Sequence, residues 1–273
     1  MNRKKNKTYF STSKVMGILN LSDNSFYDGG KYNSTKKIFI QTKKMIDEGV
    51  NIIDIGAQSS RPGSNEISEE EELNKIIPSL IEIRKNFPNV LISVDTYRAN
   101  VAEESINNGA DIINDISSGD LDKNMFTVIA KYKVPYIIMH MLGTPKNMQE
   151  NPMYNNVVEE IINYFQQKIA TLHDLGINNL IIDPGFGFGK TLENNYEILN
   201  NLEKLKCLKY PILVGVSRKS MIYKLLDTDA NQALNGTSVI NTIALTKGTD
   251  ILRVHDIKEA VECIKIVNFA QNK

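Results

Sequence analysis

The sequence predicts an α/β fold, a (β/α)8 TIM barrel, that forms a single domain. Three observations support this prediction: eight short apolar runs recur along the 273 residues, helical patterns separate them, and each run ends in a polar residue. Strands that are apolar on both faces are typical of a parallel sheet buried under helices. Eight alternations of strand and helix favour a closed barrel over an open doubly wound sheet.

The eight apolar runs define the expected strands, and the polar residue after each run marks the expected strand end. They are residues 15–19 before Asn20, 52–53 before Asp54, 90–94 before Asp95, 112–113 before Asn114 and Asp115, 136–139 before His140, 180–182 before Asp183, 212–216 before Ser217 and 251–252 before Arg253. In a TIM barrel the C-terminal ends of all strands meet at one mouth, where the active site forms. One buried Asp or Asn often only satisfies backbone amides, but eight polar residues at matching positions predict a functional site.

Helical patterns fill the intervals between the runs and carry recognisable start and stop signals. Ser68 followed by Glu71 resembles a capping box and opens a long helix, which Pro78 is expected to kink or split. Glycines at positions 49, 109 and 176 end three further patterns. Helices are predicted over residues 34–48, 96–108, 155–175, 193–205, 219–226, 235–247 and 256–269.

Composition restricts the partners that the protein can have. The 32 Lys+Arg balance 32 Asp+Glu, so neither nucleic acid nor a membrane surface is an expected partner. Cys207 and Cys263 have no metal-ligand or disulfide spacing, and the basic residues 1–7 precede no long apolar run. These features predict a soluble cytoplasmic protein that acts on small molecules, with residues 1–13 as an N-terminal extension and residues 14–273 as the barrel.

The stretch of residues 180–190, L-I-I-D-P-G-F-G-F-G-K, is the most distinctive in the chain. A buried strand would deliver Asp183 to a pocket, and the glycines would let the backbone pass close to a bound molecule. The alternative is a turn in which Asp183 only caps the following segment. Residues 184–191 come close to a phosphate-binding P-loop, but Pro184 stands where glycine is needed and has no N–H to offer. The role of Lys190 stays open.

The polar residues at the strand ends fall into two chemical groups. Asp95, Asn114 and Asp183 offer hydrogen-bond acceptors, which suit a flat, nitrogen-rich ring with several N–H donors. Residues 217–220, S-R-K-S, and residues 253–255, R-V-H, follow the last two strands, where this fold usually binds phosphate. Asn20 is a neutral oxygen ligand that could hold a hydrated Mg²⁺ bridging phosphate oxygens. For Arg218, the start of a solvated helix is an equally good interpretation.

Ordered motifs along almost the whole chain resemble one family, the dihydropteroate synthases. They are M-G-I-L-N at 16–20, S-F at 25–26 and D-G-G at 28–30, then Ser59 with R-P-G at 61–63, S-V-D-T at 93–96, N-D at 114–115, M-H-M at 139–141 with G-T-P at 143–145, D-P-G at 183–185, S-R-K-S at 217–220 and R-V-H-D at 253–256. The resemblance implies condensation of 6-hydroxymethyl-7,8-dihydropterin diphosphate with 4-aminobenzoate, giving 7,8-dihydropteroate and pyrophosphate. It also implies an SN1-like path, Mg²⁺ as cofactor and a homodimer.

The resemblance also implies a role for each matching residue. The pterin diphosphate would be bound by Ser60, Asp95, Asn114, Asp183, Lys219, Arg253, Val254 and His255, with Asn20 as the Mg²⁺ ligand. The aminobenzoate would be bound by Phe26, Arg61, Pro62, Phe188, Lys219 and Ser220. The catalytic residues would be Asp95, Asp183, Lys219 and Arg61.

Two loops depart from the family pattern. Residues 22–24 read S-D-N where the family usually has T-P-D, and residues 57–60 read A-Q-S-S where it usually has G-E-S-T. Losing the proline adds backbone freedom before closure over substrate. Two alternatives to an active synthase therefore stay open: an inactive pterin-binding paralogue, and a methyltransferase acting on a folate methyl group.

Overall fold

A computed structural model describes residues 12–21, 31–58, 66–144, 147–148 and 151–271. Among them, strands and α-helices alternate along the chain. The strands are β1 (Lys14–Asn20), β2 (Ile52–Gly56), β3 (Leu91–Asp95), β4 (Ile112–Asp115), β5 (Tyr136–Met139), β6 (Leu180–Asp183), β7 (Leu213–Val214) and β8 (Ile251–Val254). The helices are α1 (Lys31–Asp47), α2 (Glu69–Asn86), α3 (Ala99–Asn107), α4 (Asn124–Tyr132), α5 (Val157–Asp174), α6 (Leu192–Asn200), α7 (Ser220–Tyr223), α8 (Leu234–Thr246) and α9 (Ile257–Ala270), with 3₁₀ turns at Leu202–Leu208 and Ala230–Gln232.

The eight strands form one parallel sheet that closes on itself. Their order is β6-β5-β4-β3-β2-β1-β8-β7. A parallel bridge between Ile182 and Ile212 joins the two ends, and the Ile182 N–H donates to the Pro211 carbonyl at 2.9 Å. The predicted TIM barrel is therefore confirmed.

Alternation along the strands separates two apolar layers. Side chains such as Ile53, Ile92 and Val214 pack outward with the helices in the main core. Residues of opposite parity fill the barrel interior as a separate cluster: Met16, Ile52, Ile112, Ile137, Ile181, Leu213 and Ile251, with Leu91 packed against them. Because successive side chains of a strand point to opposite faces, every strand contributes one residue to this inner layer.

Most helices match their predicted positions, with instructive differences. Helix α2 begins with the Ser68 side chain accepting from the Glu71 N–H and then runs unbroken through Pro78. Pro78 and Asn74, four residues before it, are both solvent-exposed, so water can bond the carbonyl that the proline leaves unpaired. Helix α4 was not predicted, and α7 has only four residues where eight were expected. Within the described residues, no helix is long and apolar enough to span a bilayer.

Candidate active site at the barrel mouth

A polar layer lies directly above the apolar inner layer of the barrel. Two residues beyond the inner-layer position, the strands carry Ile18, Asp54, Ser93, Asn114, Met139, Asp183, Gly215 and Arg253. Asp95 pairs in register with Asn114 on the next strand, and Asp54 pairs with Ser93. The alternation of the strands therefore places charged and amide side chains on the floor of the mouth, as the sequence predicts.

Arg253 lies at the centre of this floor and joins two carboxylates. Its Nε donates to Asp54 Oδ2 at 2.6 Å, and its Nη2 donates to Asp95 Oδ2 at 2.6 Å. Burial alone would lower the pKa of Arg253, but the two carboxylates outweigh it and raise that pKa. Burial raises the pKa of Asp95 to about 7, although the charge of Arg253 opposes this shift. The charge of Asp54 adds to the shift, because one guanidinium cannot neutralise both acids.

Asp54 also fixes the orientation of Asn114. The Asn114 Nδ2 donates to Asp54 Oδ2 at 3.1 Å, so the amide presents its oxygen, Oδ1, as an acceptor. Asp54 is fully buried and was not assigned a site role from the sequence beyond its place at a strand end. The sequence does contain a signal for Asp54, because it follows an apolar run as Asp95 and Asp183 do. Its partners, in contrast, lie 60 and 199 residues away along the chain.

Asp183 ends β6 and is held by its own turn. Its Oδ1 accepts from the Gly185 N–H at 2.7 Å, and its carbonyl accepts from the His140 N–H at 3.0 Å. Gly185 has φ +72°, and a Cβ there would lie 2.0 Å from the His140 carbonyl oxygen, so only glycine fits. Burial raises the pKa of Asp183, while the charge of Lys219 opposes this shift.

Lys219 approaches the same loop from the other side of the mouth. Its Nζ donates to the Phe186 carbonyl at 2.6 Å and lies 4.7 Å from the centroid of the Phe188 ring. Burial lowers the pKa of Lys219 to about 8, and Asp183 partly offsets this effect. Phe188 itself is buried with Met139 and Met148 in a small apolar cluster at the mouth. Lys219, Asp183 and Phe188 are thus brought together as expected.

Lys190 is a buried anchor and not part of a phosphate loop. Its Nζ lies 3.0 Å from His140 Nδ1 and donates to the carbonyls of His140 at 3.2 Å and Phe188 at 2.9 Å. Burial lowers the pKa of Lys190 to about 7 and that of His140 to about 3. The expectation that His140 joins the mouth floor is therefore wrong. The side chain of Met139 faces the barrel interior, and the next residue, His140, bonds to Lys190 and so connects β5 to the glycine-rich loop.

The segment after β7 is fixed by two side-chain contacts to the end of β8. Ser217 Oγ lies 3.0 Å from His255 Nδ1 and accepts the His255 backbone N–H at 3.2 Å. Arg218 pairs with Asp256 through Nε at 2.9 Å and Nη2 at 2.8 Å. Its Nη1 donates to the carbonyls of residues 230 and 231, so Arg218 has a structural role and does not simply begin a solvated helix.

Arg98 links the two ends of the second loop that departs from the family pattern. Its Nη1 contacts Gln58 Oε1 at 3.4 Å and pairs with the buried Glu72, while its Nη2 donates to the Ile67 carbonyl at 2.7 Å. Gln58 precedes residues 59–65 and Ile67 follows them. Position 58 thus carries a neutral amide in contact with Arg98, and Glu66 and Glu72 supply the carboxylates that pair with this arginine.

The remaining predicted site residues differ in where they lie. Ser60, Arg61, Pro62 and Phe26 fall outside the described residues. Val254 is buried in the core between sheet and helices, so only its backbone faces the site. Ser220 begins α7 beside Lys219, and Asn20 is exposed at the end of β1. Acceptors on β2, β3, β4 and β6 and cations after β7 and on β8 thus lie at the same barrel mouth.

Comparisons with known proteins identify the family of this chain. A family model described as pterin binding enzyme matches residues 16–255. The chain is 42% identical over 258 residues to a dihydropteroate synthase of Haemophilus influenzae, covering 94% of this chain and 93% of that protein. It is 44% identical over 255 residues to a dihydropteroate synthase of Escherichia coli K12, covering 93% and 90%.

Solved structures give the same result. A Yersinia pestis dihydropteroate synthase in complex with a sulfonamide drug has a TM-score of 0.91 and 41% identity, covering 97% of this chain and 96% of that one. A Xanthomonas albilineans dihydropteroate synthase with 4-aminobenzoic acid has a TM-score of 0.89 and 31% identity, covering 97% and 95%. The chain therefore belongs to the pterin-binding enzyme family, among the dihydropteroate synthases.

Proposed function

We propose that this chain condenses 6-hydroxymethyl-7,8-dihydropterin diphosphate with 4-aminobenzoate, giving 7,8-dihydropteroate and pyrophosphate in folate biosynthesis. One observation carries the proposal: buried acceptors and basic residues lie in the same barrel mouth, where Arg253 is bonded to two of the carboxylates. The ring of this substrate has N–H donors, which match the acceptors, and its diphosphate is anionic, which matches the basic residues.

The buried acceptors at the floor of the mouth would bind the pterin ring. Asp183 would take two parallel hydrogen bonds from the guanidine-like edge of the pterin. Asn114 presents Oδ1 because Asp54 holds its Nδ2, and Asp95 adds a carboxylate on the neighbouring strand. A ring without these donors would leave buried acceptors unpaired, which is a strong basis for selectivity.

The basic residues of the mouth would assist the departure of the diphosphate. Lys219, Arg253 and His255 lie after β7 and at the end of β8, where they would stabilise the charge that develops on the leaving pyrophosphate. The pterin methylene would become cationic before the amine attacks, in an SN1-like path. Asp95 and Asp183 would stabilise that cation, and a closed site would keep water from reaching it.

The donor set at the mouth fits Mg²⁺ carried by the substrate. Among the described residues, no group of three or more His, Cys, Asp or Glu side chains forms a metal cage. Mg²⁺ commonly keeps several waters and binds through one or two protein oxygens plus substrate phosphates. The exposed amide oxygen of Asn20 is such a ligand, and the ion would supply charge neutralisation at the diphosphate.

The aminobenzoate would enter beside the ring site. Phe188 and Lys219 are in contact there, and Ser220 follows directly. We assign the remaining contacts to Phe26, Arg61 and Pro62 from the family motifs. If this is right, Arg61→Ala spares pterin binding and raises the KM for 4-aminobenzoate; unchanged kinetics would remove Arg61 from the site.

Release of pyrophosphate with both substrates present tests the function directly. An active synthase forms 7,8-dihydropteroate and releases pyrophosphate when both are added. Pterin binding without release would favour the inactive paralogue, and methyl transfer to a corrinoid acceptor would favour the methyltransferase. The Asp183→Ala variant is the control for a reaction that depends on this pocket.

We also propose a cytoplasmic homodimer. Val239 on α8 and Ile266 and Phe269 on α9 are exposed by 51%, 67% and 88%, and these two helices pack side by side. A second copy of the chain would cover this apolar face. Free Cys207 and Cys263 are compatible with a reducing compartment. Phe269→Ser should lower the dimer fraction in sedimentation, and an unchanged dimer would exclude this face.

A further inference from the structure

The contact between Ser217 and His255 determines which nitrogen of His255 carries a proton. Ser217 is 5% exposed, and its Oγ accepts the His255 backbone N–H at 3.2 Å. The same Oγ lies 3.0 Å from His255 Nδ1. The hydroxyl has one proton to donate, and among the described residues Nδ1 is the acceptor within its reach.

The proton count then selects one tautomer. A buried hydroxyl that does not donate loses a hydrogen bond. In the stable arrangement, the Ser217 hydroxyl therefore donates to an unprotonated Nδ1 of His255. The proton of neutral His255 must then be on Nε2. If the imidazole becomes charged, Nδ1–H donates to Oγ instead, and Nε2 still carries its proton. In both charge states Nε2 is a donor.

The surroundings make this choice important for an anionic ligand. Besides His255, the basic residues of the mouth include Arg253, which donates to two carboxylates, and Lys219, which donates to the Phe186 carbonyl. His255 is more exposed than either of them. A histidine without a proton on Nε2 would present a lone pair to phosphate oxygens and repel them. A histidine protonated on Nε2 would instead donate a hydrogen bond to a phosphate oxygen.

We propose that Ser217 is a positioning residue, which holds His255 in the Nε2–H tautomer so that the ring donates to the diphosphate. This proposal rests on the proposed function only for the identity of the anion, because the tautomer is a property of the free protein. Ser217 acts through His255 and needs no contact with substrate.

The first test is ¹⁵N NMR of the histidine rings in the full chain. The protein has three histidines, at positions 140, 173 and 255, so single His→Gln variants assign the signals. Spectra are recorded well above the ordinary histidine pKa of about 6.5. The wild type should show His255 protonated on Nε2, and protonation on Nδ1 would overturn the proposal whether or not the enzyme turns over.

The second test compares Ser217→Ala with Ser217→Thr, which keeps the hydroxyl. Ser217→Ala should give a mixture of His255 tautomers and weaken inorganic pyrophosphate binding by roughly five- to tenfold, as expected for one hydrogen bond. Ser217→Thr should retain the Nε2–H tautomer and most of the affinity. If Ser217→Ala keeps both the tautomer and the affinity, the proposal is wrong. Absence of pyrophosphate release in the wild type would instead contradict the proposed function.

Discussion

The lower and upper layers of the barrel interior come from the same strands but follow opposite physical rules. The lower layer is apolar throughout, and Ile52, Ile137 and Leu213 are fully buried in it. Two residues further along the same strands stand Asp54, Met139 and Gly215. A step of two residues keeps the side chain on the inner face, so only the chemistry changes between the layers.

The difference predicts that one layer of the sheet serves mainly stability and the other mainly recognition. In the upper layer, Asp54 Oδ1 and Ser93 Oγ are buried without a hydrogen-bond partner among the described residues, an arrangement that disfavours folding. Such groups are expected where a site is shaped for a ligand and not for the free protein. Changes in the upper layer should therefore alter binding, with or without an effect on stability, and changes in the lower layer should alter only the free energy of unfolding.

The largest effect is expected at Asp183 in the upper layer. Asp183→Ala should abolish binding of the pterin substrate, and Asp183→Asn, which keeps the side-chain volume, should weaken it by at least about a thousandfold. Because burial disfavours this carboxylate, Asp183→Asn should leave the melting temperature unchanged or raise it. Calorimetric titration with the dihydropterin diphosphate measures the affinity. A variant with normal affinity would contradict the ring-binding assignment.

Ile181, two residues earlier on the same strand, is the matched position in the lower layer. Ile181→Ala should lower the free energy of unfolding by about 2–5 kcal/mol, because it removes apolar volume from a closely packed interior. The KM for both substrates should stay unchanged. Urea unfolding together with steady-state kinetics checks this. A raised KM at unchanged stability would show that the layers are not separate.

Asp54 and Ser93 allow two positions within the upper layer to be compared, since they are partners in register on neighbouring strands. Asp54→Asn should lower kcat/KM for the pterin substrate about tenfold and stability by about 1–3 kcal/mol, because Arg253 and Asn114 lose a charged acceptor. Ser93→Ala is the control for stability and should leave the free energy of unfolding nearly unchanged, since the Ser93 hydroxyl has no hydrogen-bond partner among the described residues. Equal effects of the two changes would contradict the role given to Asp54.

The smallest effect concerns pH. Asp95, with a pKa raised to about 7 by burial, is ionised above that pH, and Lys219, with a pKa lowered to about 8 by burial, is charged below that pH. kcat/KM for the pterin substrate should therefore rise with pH through 7 and fall above 8. Lys219→Arg should move only the alkaline limb upward, since arginine stays charged. A flat profile in the wild type would remove both assignments.

Local sequence patterns are enough to predict the strands, the barrel and the division of the strand ends into acceptors and cations. Each of these follows from local patterns: runs that are apolar on both faces, and the polar residue that ends each run. Asp95, Asn114 and Asp183 could be assigned in this way without any knowledge of their neighbours.

The bonds between side chains, in contrast, cannot be predicted from these local patterns. Arg253 bonds to Asp54, 199 residues away, and Lys190 bonds to His140, 50 residues away. Such pairs depend on the arrangement of the strands in the sheet, which brings residues that are distant along the chain to one mouth, and no local periodicity encodes them. The same arrangement lets Asp54 orient Asn114 and directs His140 away from the mouth floor, because side-chain alternation and long-range contacts decide which polar groups face the mouth.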